Sequence, residues 1–428
     1  MTLILFISVL LISLAIGMPV AYALILTAVA LMYHLDFFQT QVIAQNLLNG
    51  ADSFPLMAVP FFMLAGAIMN AGGLSQRIVH LALLLVGHIK GGLGYVTILA
   101  ACVLASLSGS AAADAAALSA LLVPMMMKAG HSKAKAGGLV ASSGIIALVI
   151  PPSIGLVLIG VTGGISITNL FIAGIVPGLY LGLSLCFAWF IVARKDDSER
   201  LPRAKMSEIL KAFREGIWAL FLPVIIIVGL RFGIFTPTEA GVMAAVYALL
   251  VSVLVYKEIK LHHLYLVFLE SAKMTAMVMF LVAAALVSGW MITIAGLPQQ
   301  ITELVEPIKD SPTLLMLAIV GLIIVIGTAM DMVPIILILL PVLLPAVISA
   351  GIDPVYFGII FMIACSIGLI TPPVGAVLNV VAGVSRIKMI DIIIGVWPFL
   401  LAQTITLLLL VIFPELVLAP YKWLVGAN

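Results

Sequence analysis

Apolar runs of roughly 15 to 27 residues follow one another from Met1 to Leu424, and only one long charged stretch, Arg194 to Gly216, interrupts them. No water-soluble surface can be made from such a chain. Hydrophobic residues make up 64% and charged residues 9%, with a mean hydropathy of +1.33, which is the composition of a polytopic membrane protein. Soluble enzymes, nucleic-acid binders and secreted disulfide scaffolds are excluded. Cys102, Cys186 and Cys365 each lie inside an apolar run without CxxC or Cys/His spacing and read as small core residues. Leu3 to Ile16 followed by Ala21-Tyr22-Ala23 imitates a signal peptide, but no Lys or Arg precedes it and the segment has a partner in the second half.

That partner belongs to an internal repeat offset by about 220 residues. Pro19 matches Pro237, Asp114 matches Asp331, and Pro124 matches Pro341. Ala129-Gly130 matches Ala350-Gly351, Pro151-Pro152 matches Pro372-Pro373, and Gly174 with Pro177 matches Gly395 with Pro398. The chain then divides into repeats 1–193 and 217–428 joined by the charged linker 194–216. In the linker Met206, Ile209, Leu210 and Phe213 recur at helical spacing opposite Lys205, Glu208, Lys211 and Arg214, the pattern of a helix lying on the membrane surface.

Lys and Arg collect on the cytoplasmic side, which makes the linker cytoplasmic and orients the halves. Arg77, Lys90, Lys128, Lys133 and Lys135 flank the segment around Asp114, whereas Glu303, Glu306, Lys309, Asp310 and Asp353 flank that around Asp331. One set is basic and its mate acidic, so the repeats are expected to be inverted. His34 to Asp52 and Gly163 to Asn169 lack Lys and Arg, while their mates carry Lys257 with Lys260 and Arg386 with Lys388. Only Arg231, Lys309 and Lys422 then fall outside. Five spans are expected per half, at 2–16, 18–33, 54–74, 136–163 and 168–193, then 217–230, 238–256, 271–296, 355–384 and 390–413.

Two segments are left over. Between Gly91 and Met127, apolar arms of about 15 to 17 residues flank Ser106-Leu107-Ser108-Gly109-Ser110; at 1.5 Å per residue each falls short of the ~30 Å hydrocarbon core. A re-entrant hairpin with a buried polar tip (about 91–127) is expected, although charge parity does not separate it from two full spans. Its mate (about 312–345) is built around Gly327-Thr328-Ala329-Met330-Asp331. The broken spans are 136–163, with Pro151-Pro152-Ser153, and 355–384, with Thr371-Pro372-Pro373-Val374-Gly375. Two prolines remove donors and break the helix, and freed carbonyls at membrane depth must be buried or line a cavity.

Tips and breaks together offer carbonyl and hydroxyl oxygens, the ligands a small cation takes. Two related cation sites are expected, one from Ser106, Ser108, Gly109, Ser110, Pro151 and Ser153, the other from Gly327, Thr328, Thr371 and Gly375. Small and hydroxylated residues also permit close helix packing in lipid, so the same residues have a second reading. An aspartate near a helix centre costs about 2.5–3.5 kcal/mol on insertion scales, which singles out Asp114 and Asp331 as substrate or tip residues; either could instead cap a helix start. Thr236-Pro237-Thr238-Glu239 reads as a capping box, with Pro237 first in the helix and Glu239 two residues on. Arg231 reads as snorkelling to the outer interface or contacting an anionic substrate. His262-His263 lacks metal-ligand spacing. No GxxxxGK[ST] loop occurs, which favours a secondary gradient over ATP, and no constellation suits hydrolysis, so no enzyme is expected.

Phe235 to Gly241 (Phe-Thr-Pro-Thr-Glu-Ala-Gly), the Ser106 to Ser110 tip followed by Asp114, Ile150-Pro151-Pro152-Ser153 and Gly368 to Gly375 (Gly-Leu-Ile-Thr-Pro-Pro-Val-Gly) occur in one order along the whole chain. In these the chain resembles the DctM-like large membrane subunit of tripartite ATP-independent periplasmic (TRAP) transporters. The resemblance implies a sodium-coupled importer of C4-dicarboxylates, sialic acid or other sugar acids in the bacterial inner membrane. It implies an elevator-type motion of the hairpin-bearing parts, with sodium as coupling ion and no other cofactor. It also implies two partners, a small four-helix membrane subunit, expected here as a separate chain, and a periplasmic substrate-binding protein. Substrate is expected between the two hairpin tips. The alternatives are a single-component sodium:anion symporter, a membrane-embedded enzyme and a passive channel.

Overall fold

The computed structural model describes residues 2–194, 201–306 and 311–426, and all regular structure among them is helical. The first half contains α1 (Thr2–Ala15), α2 (Val20–His34), α3 (Thr40–Ala51), a 3-10 turn (Phe54–Met57) leading into α4 (Ala58–Ala71), and α5 (Leu74–Val86). It continues with α6 (Gly92–Ser108), α7 (Ala111–Lys128), α8 (Lys133–Gly144), α9 (Ile154–Gly163) and α10 (Ile167–Ala193). The second half contains α11 (Met206–Arg231), α12 (Pro237–Leu250, extended by a π turn, Val251–Val255), α13 (Leu261–Ile294), α14 (Leu297–Val305), α15 (Pro312–Gly327) and α16 (Met332–Ser349). After these come α17 (Pro354–Gly368), α18 (Ala376–Ser385), α19 (Met389–Ile412) and α20 (Glu415–Val425). Eight helices among the described residues are long and apolar enough to cross a membrane.

Every expected span is a helix or a broken pair of helices. Each hairpin is a helix, a tip and a helix, but the arms are unequal: 17 and 18 residues in the first, 16 and 18 in the second. At 1.5 Å per residue the longer arms reach about 27 Å, and both, α7 and α16, are among the eight helices long and apolar enough to cross.

Three features differ from the sequence reading. The linker does not carry a separate surface helix: α11 runs unbroken for 26 residues. Glu208 accepts from the Lys205 amide at 2.9 Å to start it, and Ala212, Gly216 and Ala219 are buried where it packs along α5. The apolar side chains of the expected stripe stay outward, with Met206 77% exposed. Residues 195–200 of the linker, and Lys309 and Asp310, lie outside the described residues. Second, α3, α5, α14 and α20 are additional helices. Of these α5 is amphipathic, burying Leu74, Ile78, Val79 and Leu81 while Arg77 pairs with Glu258 at 3.0 Å and lies over the Tyr256 ring.

Third, the repeat register shifts. Ser110 is the N-cap of α7 and Asp331 the N-cap of α16, and both helices have 18 residues. Ser132 and Asp353 likewise cap α8 and α17. Asp331 is therefore the counterpart of Ser110, not of Asp114, which occupies the first turn of α7, and Pro124 corresponds to Pro345 rather than Pro341. Matching aspartate to aspartate had slipped the alignment by four residues, about one helical turn.

Packing sorts the helices into two groups. In one, α4 lies against α12, and α13 lies against α2, α3 and α4. In the other, α8 packs on α19 and α15 on α17, and the repeats exchange elements: α9 packs along α16, and α18 along α7. The second piece of each broken helix thus supports the second arm of the opposite hairpin.

Candidate functional site

The two hairpin tips and the two Pro-Pro breaks meet in pairs, each within one repeat. At the first pair, α6 ends on Gly109 at φ +60°, a conformation that disfavours any side chain. A Cβ there would lie 2.6 Å from the Pro152 carbonyl oxygen and 3.2 Å from the Ile154 amide nitrogen, so the tip backbone rests directly on the break. Pro151-Pro152 is a cis peptide, as is Pro372-Pro373. Ser153 spans the gap between the helix pieces: its hydroxyl donates to the Leu148 carbonyl at 2.6 Å and accepts from the Leu156 amide at 3.3 Å.

Within the tip, the Ser108 hydroxyl donates to Oδ1 of Asp114 and accepts from the Ser110 amide at 3.2 Å. Ser110 caps α7 by accepting from Ala113. The Ser106 hydroxyl donates to the Val103 carbonyl at 2.6 Å within its own helix. Asp114 is 3% exposed, and its Oδ2 is buried without a hydrogen-bond partner. A buried carboxylate oxygen is costly unless hydrogen-bonded or facing positive charge.

The second pair is built the same way but is more open. The Gly375 amide donates to the Thr328 carbonyl at 3.2 Å, joining tip to break. Gly327 and Gly368 touch through backbone, since a Cβ on Gly327 would sit 2.9 Å from the Gly368 Cα. The hydroxyls of Thr328 and Thr371 donate to Val325 and Ile367 at 2.8 and 2.7 Å, leaving their oxygen lone pairs as acceptors. Asp331 is exposed and accepts from the Met332 amide at 2.8 Å, the N-cap role. Pro373 and Val374 are exposed, whereas Pro151, Pro152 and Ser153 are buried.

Asn379 was missed by sequence reading. Its side-chain amide donates to the carbonyls of Val374 at 3.2 Å and Gly375 at 3.5 Å, holding the open break in shape. An amide in an otherwise apolar run just past Pro-Pro was the available signal. The scaffold residues fall away from both tips. Thr236 and Glu239 form the capping box, the Glu239 carboxylate accepting from the Thr236 amide at 2.8 Å and the Thr236 hydroxyl accepting from the Glu239 amide at 3.3 Å. Arg231 ends α11, exposed, with its guanidinium near the Phe232 ring. Cavities of about 530 and 470 Å³ lie between the two helix groups, and neither is lined by a tip residue.

Comparison with known proteins extends this geometry. The family described as "Tripartite ATP-independent periplasmic transporter, DctM component" matches residues 7–416. The 2,3-diketo-L-gulonate TRAP transporter large permease protein YiaN of Escherichia coli is 54% identical over 99% of this chain and 100% of its own. The sialic acid TRAP transporter large permease protein SiaM of Vibrio cholerae is 39% identical, covering 94% of each chain. The C4-dicarboxylate TRAP transporter large permease protein DctM of Rhodobacter capsulatus is 35% identical over 94% of this chain and 95% of its own. The YdaH transporter of Alcanivorax borkumensis, described as having an unusual topology, shares the fold with a TM-score of 0.63 at 14% identity, over 90% of this chain and 88% of that one.

Proposed function

Because the chain belongs to the DctM family of TRAP transporter large permeases, a family of inner-membrane transporters rather than enzymes, we propose that it imports an organic acid by sodium coupling, with an elevator-type motion. The observation that carries the coupling is Asp114, whose buried second oxygen has no protein partner. It stands beside the Ser108 hydroxyl and a break whose tip glycine touches the Pro152 carbonyl. Sodium is bound there by oxygen ligands; Ser108, Asp114, Gly109, Ser110, Pro151 and Ser153 supply them at the first tip, and Gly327, Thr328, Thr371 and Gly375 at the second.

The division of the helices supports the motion. Both tips and both breaks belong to one packed group, while α2, α3, α4, α12 and α13 form the other. Inverted repeats give two related conformations facing opposite sides, which is the basis of alternating access. The substrate is an organic acid held near the tips and presented by a periplasmic binding protein, with a small membrane subunit completing the assembly. Because the 54% identical relative is named for 2,3-diketo-L-gulonate, an oxidised sugar acid is the first substrate to test.

The test is uptake of labelled organic acids into proteoliposomes. This chain, its small subunit and the binding protein are combined or omitted in turn, with and without an inward sodium gradient. Accumulation requiring all three proteins and sodium is expected. Uptake by this chain alone would overturn the tripartite reading in favour of a simple symporter, and indifference to sodium would remove the ion sites.

A further inference from the structure

The two Pro-Pro breaks are built alike but present different chemistry. Ser153 is the N-cap of α9 and Gly375 that of α18, so the residues four positions on, Val157 and Asn379, correspond. Val157 is fully buried, whereas Asn379 is exposed. Along α18 the exposure continues through Gly383 to Arg386, at i, i+4 and i+7, so one helix face is open from the break to the expected cytoplasmic end. On α9 every residue from Ile154 to Gly160 is buried. An amide about 10 Å deeper than Arg386, beside the exposed backbone of Pro373 and Val374, does not face lipid; irregular backbone at that depth lines a water-filled space or is covered by protein.

The two ends of the Asn379 amide do different things. Its nitrogen is committed to the backbone, donating to the Val374 carbonyl at 3.2 Å and the Gly375 carbonyl at 3.5 Å. Only the NH2 group can donate to carbonyls, which fixes the orientation of the amide. Oδ1 is left as an acceptor with no hydrogen bond among the described residues. The tip tied to this break adds acceptors of its own: the Thr328 hydroxyl, whose proton goes to Val325, and the exposed Asp331 carboxylate. No Lys, Arg or His occurs from Pro312 to Ser385. The side chains of the second site therefore offer a ligand oxygen acceptors and no cation. Hydroxyl groups complement such a surface, and a second carboxylate is repelled by it.

We infer that Asn379 is a specificity-determining residue whose Oδ1 accepts a hydrogen bond from a substrate hydroxyl, and that the substrate is a polyhydroxylated monocarboxylic acid and not an unsubstituted C4-dicarboxylate. The single carboxylate of such an acid is left to the sodium-bearing tips. The inference rests on the transport reading of this site and narrows it to one kind of acid.

The test compares L-gulonate, a polyhydroxylated monocarboxylate, with succinate, a C4-dicarboxylate without hydroxyls. The complex of this chain with its small subunit is held in saturating sodium, and each acid is titrated by thermal shift, since a ligand of the folded state raises Tm according to its affinity. The wild type is expected to bind L-gulonate more tightly than succinate. Asn379→Leu lowers that preference about fivefold, the worth of one neutral hydrogen bond, whereas Asn379→Asp, which keeps an acceptor, retains it. Because the readout is a ratio between two acids on one protein, a general loosening of the break cancels. Equal weakening of both acids in Asn379→Leu, or loss of the preference in Asn379→Asp as well, would assign the side chain to the shape of the break alone and overturn the inference, as would a wild type that prefers succinate. A cysteine introduced by Asn379→Cys is expected to react with a water-soluble thiol reagent and to be protected by L-gulonate; no reaction, or no protection, counts equally against it. The transport reading fails on a different result, the absence of sodium-driven uptake by the wild-type complex with its binding protein.

Discussion

The amide of Gly375 donates to the carbonyl of Thr328 at 3.2 Å, so the tip of the second hairpin and the break between α17 and α18 are tied backbone to backbone. Just behind this tie Gly327 and Gly368 meet without side chains. Gly368→Ala places a methyl group about 2.7 Å from the Gly327 Cα and must push tip from break. Overpacking of this kind costs about 1–3 kcal/mol. A lowered Tm, together with loss of the extra stabilisation conferred by sodium, is expected in thermal-shift measurements with and without the ion; a variant that sodium still stabilises fully would show that the second tip holds no ion.

Asp114 and Asp331 are expected to behave differently despite their shared identity. Asp114→Asn removes the charge that the unpartnered oxygen carries and should cut sodium-driven uptake at least tenfold, with the sodium concentration for half-maximal rate raised. Asp331→Asn keeps an N-cap of equal quality, so stability should change by only a few tenths of a kcal/mol. Uptake measured against sodium concentration for the two variants decides the matter, and equal losses would erase the distinction.

Ser108→Ala removes the donor to Asp114. A hydrogen bond to a charged group contributes about 1.5–3 kcal/mol, so both stability and sodium affinity should fall. Ser106→Ala, whose hydroxyl serves only its own helix, should leave sodium affinity unchanged. Parallel sodium titrations of the two variants provide the comparison.

Glu239→Ala opens the capping box at the start of α12. A lost cap costs about 1 kcal/mol, read as a lower Tm, while the sodium and substrate concentrations for half-maximal uptake stay as in the wild type. A shift in substrate affinity would instead assign Glu239 to the transport path.

The spans, both hairpins, both breaks and the α12 cap could be read from the sequence because each is written in a local signal: a long apolar run, a Ser-Gly tip, Pro-Pro, Thr-Pro-Thr-Glu. The amphipathic α5 escaped because its apolar residues alternate with Gln76, Arg77 and His80 in a stretch bounded by Gly73 and Gly87, which resembles a loop when no partner is in view. The register error had a deeper cause. A slip of four residues is nearly one helical turn and leaves the apolar face unchanged, so nothing in the periodicity of α16 opposes it. The N-caps distinguish the two registers, Ser110 with Asp331 and Ser132 with Asp353. Likewise the closed first break and the open second one have similar sequences, and their difference in exposure is tertiary.

The exchange of α9 onto α16 and of α18 onto α7 also dictates how the protein is made. When the ribosome has finished α10, α9 is complete but the surface it will rest on has not been synthesised, and α7 waits even longer, until α18 emerges. The first half must therefore remain inserted with two apolar faces uncovered while more than a hundred further residues enter the membrane. Neither half is a unit of assembly: produced alone, each would present to lipid or to the quality-control proteases the surfaces that its sister repeat is meant to cover.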